Sequence, residues 1–427
     1  MMEINRKITP EIKLIDSLNI HHPEIINLDN GIPVYSFDLA TQDIVKIEFL
    51  FDAGSRHEEK ILAASFANRM IKEGTKSFTS DEIADKIDYY GAHLEIQSDK
   101  DNSVVTFYSL NKHIDKTLPV LAEVIRQPIF PEKELNTLKL NRKQNFLVNN
   151  EKVRYVARRK FNEMIFGKGH PYGKLFVPEN FDQIQKEDVE LFYKQHYTAK
   201  NCKIIVAGKI PKDLTTKLNS YFGDFDGSKP ASQIIPEIKS DFANQQHFIE
   251  KPGAVQSAIR IGKVTVNKSH PDFQKLRILN TVLGGYFGSR LMTNIREDKG
   301  YSYGIGSAFV SLKESGYFFI ASEVGSSVTK DAIKEVYHEI NVLQNDLIPD
   351  DELQLVKNYM TGTILRNIDG AFQLSDNFKS LIEYGLDLNY INSLFKTINQ
   401  ITSAELRDLA QQYLAQDSLF ELAVGGK

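Results

Sequence analysis

The stretch EGTKSFTSDEIADKIDYYGAHLEIQSDKDNSVVTFYSL, Glu73–Leu110, combines a helix start, a helix and two strands. Thr79 and Glu82 have the spacing of a capping box, which predicts that a helix begins immediately after Thr79. Apolar residues then recur at helical spacing on one face: Ile83, Ile87 and Tyr90. The segments HLEIQSD and NSVVTFYSL follow, and their alternating composition predicts a pair of antiparallel strands.

The residues on both sides of this stretch continue the mixture of strands and helices. From Ile44, the segment IVKIEFLFDA alternates apolar and polar residues with a period of two, which predicts a half-buried strand. After the strand pair, DKTLPVLAEVIRQ and EKELNTLKLNRKQNFLVN predict long helices. Neighbouring hairpins followed by helices favour an α+β fold, with helices packed against a mostly antiparallel sheet.

The sequence also repeats itself at a nearly constant distance. PEKELNTLK begins at Pro131 and PDDELQLVK begins at Pro349, an offset of 218 residues. QIQKEDVELFYKQHY ends at Tyr197 and NQITSAELRDLAQQY ends at Tyr413, an offset of 216 residues. Short apolar segments, KIIVAG and ELAVGG, follow the two copies. We interpret this repetition as an internal duplication.

The length of the chain agrees with a duplicated fold. A chain of 427 residues is long for a single hydrophobic core. The segment Asp226–Gln246 is rich in Ser, Pro, Lys and Asp and lacks helical periodicity, as is typical of a linker. We therefore expect two homologous domains, residues 1–232 and residues 233–427, each with a mostly antiparallel sheet covered by helices.

Composition excludes several classes of partner. Hydrophobic residues make up 41% and charged residues 25% of the chain, and the net charge of -4 gives no reason to expect nucleic acid. No apolar run reaches the roughly 18 residues that span a membrane. The first residues, MMEINRKITPEIK, lack the apolar segment of a secretory signal, so a cytoplasmic location is expected. Cys202 lies in an apolar run and is predicted to be a buried thiol.

Two long runs resemble one known family. The stretch from Glu73 and the stretch HPYGKLFVPENFDQIQKEDVELFYKQHYTAKNCKIIVAG from His170 are similar to the first domain of the pitrilysin/insulinase-type zinc peptidases, which include mitochondrial processing peptidase. The resemblance extends from Ile26 to the C-terminus. It implies a two-domain peptidase fold in which active members bind zinc through an H-x-x-E-H motif and a later glutamate.

The resemblance places unsuitable residues at each of these positions. The motif falls on Ser65-Phe66-Ala67-Asn68-Arg69, and the later glutamate falls near Gln144 or Asn145. A serine hydroxyl is a poor zinc ligand, a guanidinium repels a cation, and an asparagine amide cannot act as a general base. We therefore predict no metal and no other cofactor in this chain, and no peptidase activity from the chain alone. The segment instead predicts an amphipathic helix with Phe66 and Met70 packed together.

A second histidine pattern is discounted. His57 and Glu58 in RHEEKI begin an H-E-x-x-H pattern, but Ile61 stands at the position of the second histidine. With one imidazole, this segment is predicted to be a surface turn between a strand and a helix.

The second half keeps a pair of residues that the family uses. GGYFGSRLMTNIREDKGYSYGIGSAF, Gly284–Phe309, contains Arg296 and Tyr303, seven residues apart. The segment predicts a helix from about Phe287 to Asp298, a left-handed cap at Gly300, and a strand opened by Tyr303. The resemblance implies that this pair holds the substrate peptide and the developing oxyanion, and we take both residues as candidate catalytic residues.

These observations favour one function and leave two alternatives. The leading hypothesis is a non-catalytic, substrate-binding subunit of a heterodimeric zinc metallopeptidase, in which a homologous partner with an intact motif supplies the zinc. The second is a scaffold protein of the same fold with no role in cleavage. The third is an autonomous module that binds peptides by strand addition to a sheet edge.

Overall fold

Two separate sheets form the framework of the chain. The computed structural model describes residue 15 and residues 17–228, 235–240 and 245–426. The first sheet has the order β1-β2-β6-β3-β5-β4 and the second has the order β7-β11-β8-β10-β9. The strands are β1 (Glu24–Asn27), β2 (Pro33–Asp38), β3 (Ile44–Phe51), β4 (His93–Ser98), β5 (Ser103–Leu110), β6 (Cys202–Gly208), β7 (Gln246–Glu250), β8 (Gln256–Thr265), β9 (Ser302–Ser311), β10 (Gly316–Gly325) and β11 (Phe420–Gly425).

Helices pack on both sheets. They are α1 (Ala63–Met70), α2 (Ser80–Tyr89), α3 (Ile114–Arg126), α4 (Glu132–Asn150), α5 (Val153–Phe166), α6 (Pro178–Gln183), α7 (Lys186–His196), α8 (Leu214–Phe222), α9 (Phe273–Asn280), α10 (Thr329–Asn345), α11 (Asp350–Asn367), α12 (Ala371–Ile382), α13 (Asn389–Gln400) and α14 (Ser403–Tyr413). Two π-helical segments, Thr281–Gly285 and Met292–Asp298, lie between α9 and β9.

The structure confirms the predicted α+β fold. Strands pair antiparallel throughout both sheets, except that β2 pairs parallel with β6 and β7 pairs parallel with β11. The predicted capping box is present, because the Thr79 side chain accepts from the Glu82 N–H and the Glu82 side chain accepts from the Thr79 N–H. The order of elements repeats between the halves, with α4 and α5 matching α11 and α12, and β6 matching β11. The predicted boundary between residues 232 and 233 lies outside the described residues.

Each half covers a sheet of the other half with one helix. The helix α5 packs on β8 and β11, and its apolar residues, such as Phe161, form a core with Leu422 and Val424. In return, α12 packs on β6 and β2, where Phe378 lies 5.5 Å from Phe37 between ring centroids. The two halves therefore complete each other's hydrophobic cores.

This exchange corrects the prediction for the strand β3. Every residue of β3 after Ile44 is buried, so the strand is buried on both faces and not on one. Val45, Ile47, Phe49 and Phe51 belong to the core of the first half. The polar residues Lys46 and Glu48 instead meet Asp376 and Lys379 of α12. Apolar and polar residues do alternate along β3, but the polar side chains form ion pairs with α12 and do not face solvent.

None of the described helices combines the length and the apolar character needed to cross a membrane.

Candidate functional site

The helix α1 carries the residues that the sequence resemblance places at the family's metal positions. Phe66 and Met70 are fully buried, as the helical spacing predicts. Ser65 Oγ donates to the Leu62 carbonyl oxygen at 3.2 Å. Asn68 is only 1% exposed, and its Nδ2 donates to Tyr197 Oη at 3.1 Å. These contacts assign Ser65 and Asn68 to packing and hydrogen bonding within the first half.

The facing helix adds positive charge in place of a carboxylate. Gln144 and Asn145 lie exposed on α4. Arg142, three residues before Asn145 on α4, has its pKa lowered by burial and then by the positive charge of Arg69, with Tyr155 acting in the opposite direction. A zinc ion here would meet the guanidinium groups of Arg69 and Arg142, which repel a cation. Within the described ranges, no three His, Cys, Asp or Glu side chains are placed to hold a metal ion.

Restoring the motif alone is not expected to create a zinc site. We expect no stoichiometric zinc in the wild-type chain or in Ser65→His/Asn68→Glu/Arg69→His, because Gln144 supplies no carboxylate and Arg142 still repels the metal. Elemental analysis of protein purified without an affinity tag measures this. Adding Gln144→Glu and Arg142→Ala to the triple variant should raise its zinc content. One tightly held zinc in the wild type that is lost on mutating these positions would contradict the alignment.

The segment that carries Arg296 and Tyr303 is a helix, a turn and a strand. The helix begins at Arg290, three residues later than predicted, because Gly288 and Ser289 lie in a turn. It ends as a π-helix at Asp298, and Gly300 adopts the predicted left-handed conformation with a φ of 65°. The Tyr301 N–H then donates to the Ile295 carbonyl oxygen at 3.0 Å, which turns the chain into β9.

Both candidate catalytic side chains are available to a ligand. Tyr303 is 94% exposed at the start of β9, which is an edge strand of the second sheet. The Arg296 guanidinium lies 4.6 Å from the centroid of the exposed Phe287 ring. Among the described residues, neither the guanidinium nor the Tyr303 hydroxyl has a hydrogen-bond or ion-pair partner. The structure places the two residues on adjoining elements but shows no direct contact between them.

The segment around His57 differs from its prediction as a surface turn. The His57 side chain is 11% exposed, and its Nε2 lies 2.9 Å from Asp52 Oδ1. Burial raises the pKa of Glu58 to about 7, against the effect of the backbone N–H groups of Leu62 and Ala64. The segment Ser55–His57 is a short 3-10 helix between β3 and α1 in which Arg56 is buried.

A set of charges at this position joins the two halves. Arg56 contacts Asp52 at 2.7 Å, Asp101 at 3.1 Å and Glu314 at 3.2 Å. Lys313 Nζ contacts Asp52 Oδ2 at 2.7 Å. Lys313 and Glu314 lie in the turn between β9 and β10, so these contacts hold the far end of the β9 strand. No sequence motif reveals this set, because Lys313 and Glu314 lie 261 and 258 residues after their partners Asp52 and Arg56.

Two family patterns match the chain in sequence order. The first is described as Insulinase (Peptidase family M16) and matches residues 34–178, which include α1. The second is described as Peptidase M16 inactive domain and matches residues 183–360, which include Arg296 and Tyr303.

Similar proteins match most of the chain. An uncharacterized zinc protease of Bacillus subtilis is 23% identical over 394 residues, which cover 91% of this chain and 95% of that protein. The probable mitochondrial-processing peptidase subunit beta of Arabidopsis thaliana is 20% identical over 437 residues, covering 96% of this chain and 79% of that protein. Cytochrome b-c1 complex subunit 1 of Caenorhabditis elegans is 20% identical over 420 residues, which cover 94% of this chain and 88% of that protein.

A solved structure shares the fold across both halves. The structure described as a peptidase M16 inactive domain from Pseudomonas fluorescens aligns with a TM-score of 0.87 and 21% identity, covering 96% of this chain and 98% of that one. The two family patterns and the relatives indicate the same family, and the solved structure shares its fold. The chain therefore belongs to the pitrilysin/insulinase family of peptidases.

Proposed function

We propose that this chain is the non-catalytic, substrate-binding subunit of a heterodimeric zinc metallopeptidase. The partner is a homologous chain with an intact H-x-x-E-H motif, and it supplies the zinc and the general base. This chain supplies Arg296 and Tyr303 and part of the surface that holds the peptide. The proposed pair is cytoplasmic, as the sequence predicts.

The proposal rests on the contrast between the residues at the metal positions and the pair Arg296 and Tyr303. The side chains at the metal positions make contacts within the fold or repel a cation, whereas the Arg296 guanidinium and the Tyr303 hydroxyl have no hydrogen-bond or ion-pair partner among the described residues. A tyrosine hydroxyl at an exposed edge strand can donate to an oxyanion, and a guanidinium can hold a peptide carbonyl. The edge strand β9 also offers backbone groups to an extended peptide.

A scaffold function is the second candidate. The C. elegans relative is named as a subunit of the cytochrome b-c1 complex, which shows that a similar chain serves as a component of an assembly. A scaffold would use the same fold but would need neither Arg296 nor Tyr303. An autonomous peptide-binding module would need the edge strand but no partner.

Activity of the separate and combined chains tests the proposal. We expect the purified chain to show no peptide cleavage with added zinc, because its metal positions lack ligands. A homologous chain from the same organism with an intact motif should cleave peptides only after it is mixed with this chain. Size-exclusion chromatography should show a stable one-to-one complex.

The controls distinguish the proposed function from the scaffold function. Replacing the motif histidines of the partner should abolish activity without affecting the complex. Cleavage by this chain alone, lost on mutating its own residues, would refute the proposal. Full activity of the partner in the absence of this chain would favour the scaffold function.

A further inference from the structure

The second half contains a cavity of about 290 Å³ that is separate from Arg296 and Tyr303. Residues of α9, α11, α12 and α13 line it, and β9 contributes Ala308 and Phe309. In the order of elements, α9 and α11 are the counterparts of α1 and α4. The cavity therefore lies where the duplication places the counterpart of the family's metal site.

The described side chains that line this cavity carry positive charge without a balancing carboxylate. Lys268 and Arg277 both line it, and the described lining residues include no Asp or Glu. Lys268 Nζ donates to the Ser380 carbonyl oxygen at 2.7 Å and lies 3.3 Å from Ser380 Oγ. Burial and then Arg277 lower the pKa of Lys268 to about 8, while Glu383 acts in the opposite direction. An anion in the cavity would relieve this repulsion.

The other described residues that line the cavity provide a free hydrogen-bond acceptor and an apolar surface. Asn280 Oδ1 is buried without a hydrogen-bond partner in the described part of the chain, while Asn280 Nδ2 donates to the Ser307 carbonyl oxygen at 3.1 Å. A buried acceptor of this kind favours a ligand that brings an N–H group. Buried aliphatic side chains and a methionine form the apolar part: Met360, Ile364, Leu381, Ile391 and Leu394.

We propose that this cavity binds the free C-terminus of a peptide that ends in an aliphatic residue. The terminal carboxylate pairs with Lys268 and Arg277, the last backbone N–H donates to Asn280 Oδ1, and the terminal side chain packs on Ile364 and Leu394. A free amino acid fits less well, because its ammonium group would lie near two cations. The choice of a peptide rests on the proposed function, but the binding needs neither a partner nor zinc.

Calorimetric titration of the full, isolated chain tests this proposal. The probes are acetyl-glycyl-glycyl-leucine, its C-terminal amide, and 4-methylpentanoate, which keeps the carboxylate and the apolar group but lacks the peptide N–H. We expect the peptide acid to bind at least about tenfold more tightly than both other probes, as one charge-assisted or one buried hydrogen bond is lost in each. The exposed Arg277 can be changed without affecting the core, and Arg277→Gln should weaken binding of the peptide acid by at least about tenfold.

Controls define the outcomes that would overturn the proposal. Lys396→Gln, an exposed change on α13 outside the cavity lining, should leave binding unchanged. Equal binding of the acid and the amide, no binding of the acid at millimolar concentration, or full binding by Arg277→Gln would each overturn it. Binding of 4-methylpentanoate as tight as that of the peptide acid would assign the cavity to small carboxylates and not to peptides. If the peptide binds but mixed chains cleave nothing, the proposed function fails and this inference stands.

Discussion

Tyr303→Phe should lower kcat for peptide cleavage by about 10²- to 10³-fold in the reconstituted complex, with a smaller change in KM. The substitution removes one hydroxyl and keeps the ring of a residue that is 94% exposed, so folding should not change. A donor that meets the oxyanion contributes mainly in the transition state, which is why kcat carries the effect. Steady-state kinetics on complexes assembled from purified chains provides the measurement.

Matched variants show whether this effect is local. Tyr89→Phe removes the hydroxyl of another highly exposed tyrosine, which lies on α2 in the first half, and should leave kcat unchanged. Arg296→Ala should raise KM more than it lowers kcat if its guanidinium holds the peptide in both the ground and transition states. An unchanged kcat for Tyr303→Phe in an intact complex would remove Tyr303 from the chemistry and favour the scaffold function.

Lys46→Met should destabilise the chain by about 3 kcal/mol or more, because it leaves the buried Glu48 with an incomplete set of partners. Lys46 Nζ lies 3.0 Å from Glu48 and 2.9 Å from Asp376 on α12, and both Lys46 and Glu48 are at most 1% exposed. Lys379 also contacts Glu48, so the quartet carries two positive and two negative charges. Urea unfolding followed by circular dichroism measures the loss.

Two further variants test the physical cause. Lys46→Met/Glu48→Leu removes both buried charges and leaves the partly exposed pair of Asp376 and Lys379, so it should recover much of the lost stability. Lys209→Met breaks an exposed pair with Asp43 at the end of the same sheet and should cost less than about 1 kcal/mol. Equal losses for Lys46→Met and Lys209→Met would show that burial of the quartet is energetically unimportant.

Local patterns in the sequence were sufficient to predict the local structure. The capping box at Thr79, the buried Phe66 and Met70, and the left-handed Gly300 depend on neighbours within a few residues, and all three predictions are confirmed. The two mostly antiparallel sheets also follow from short-range alternation and the internal repeat. The helix before β9 was predicted too long at its start, because the apolar spacing does not reveal the turn at Gly288.

The same local patterns could not predict contacts between distant segments of the chain. The burial of β3 on both faces depends on α12, which lies more than 300 residues later in the chain. The charge of Arg142 beside Arg69 and the cavity near Lys268 likewise arise from helices that meet only in the folded chain.

The exchange of α5 and α12 between the halves has a consequence for how the chain is made. The last strand of the first sheet ends at Gly208 and leaves the ribosome before α12 does, so in any first sheet formed at that stage the face that α12 covers is open to water. Lys46 and Glu48 lie on that face, and their charges can be hydrated until Asp376 and Lys379 arrive. The same residues that bind the finished halves together thus keep the nascent first half from presenting a wholly apolar surface to aggregation.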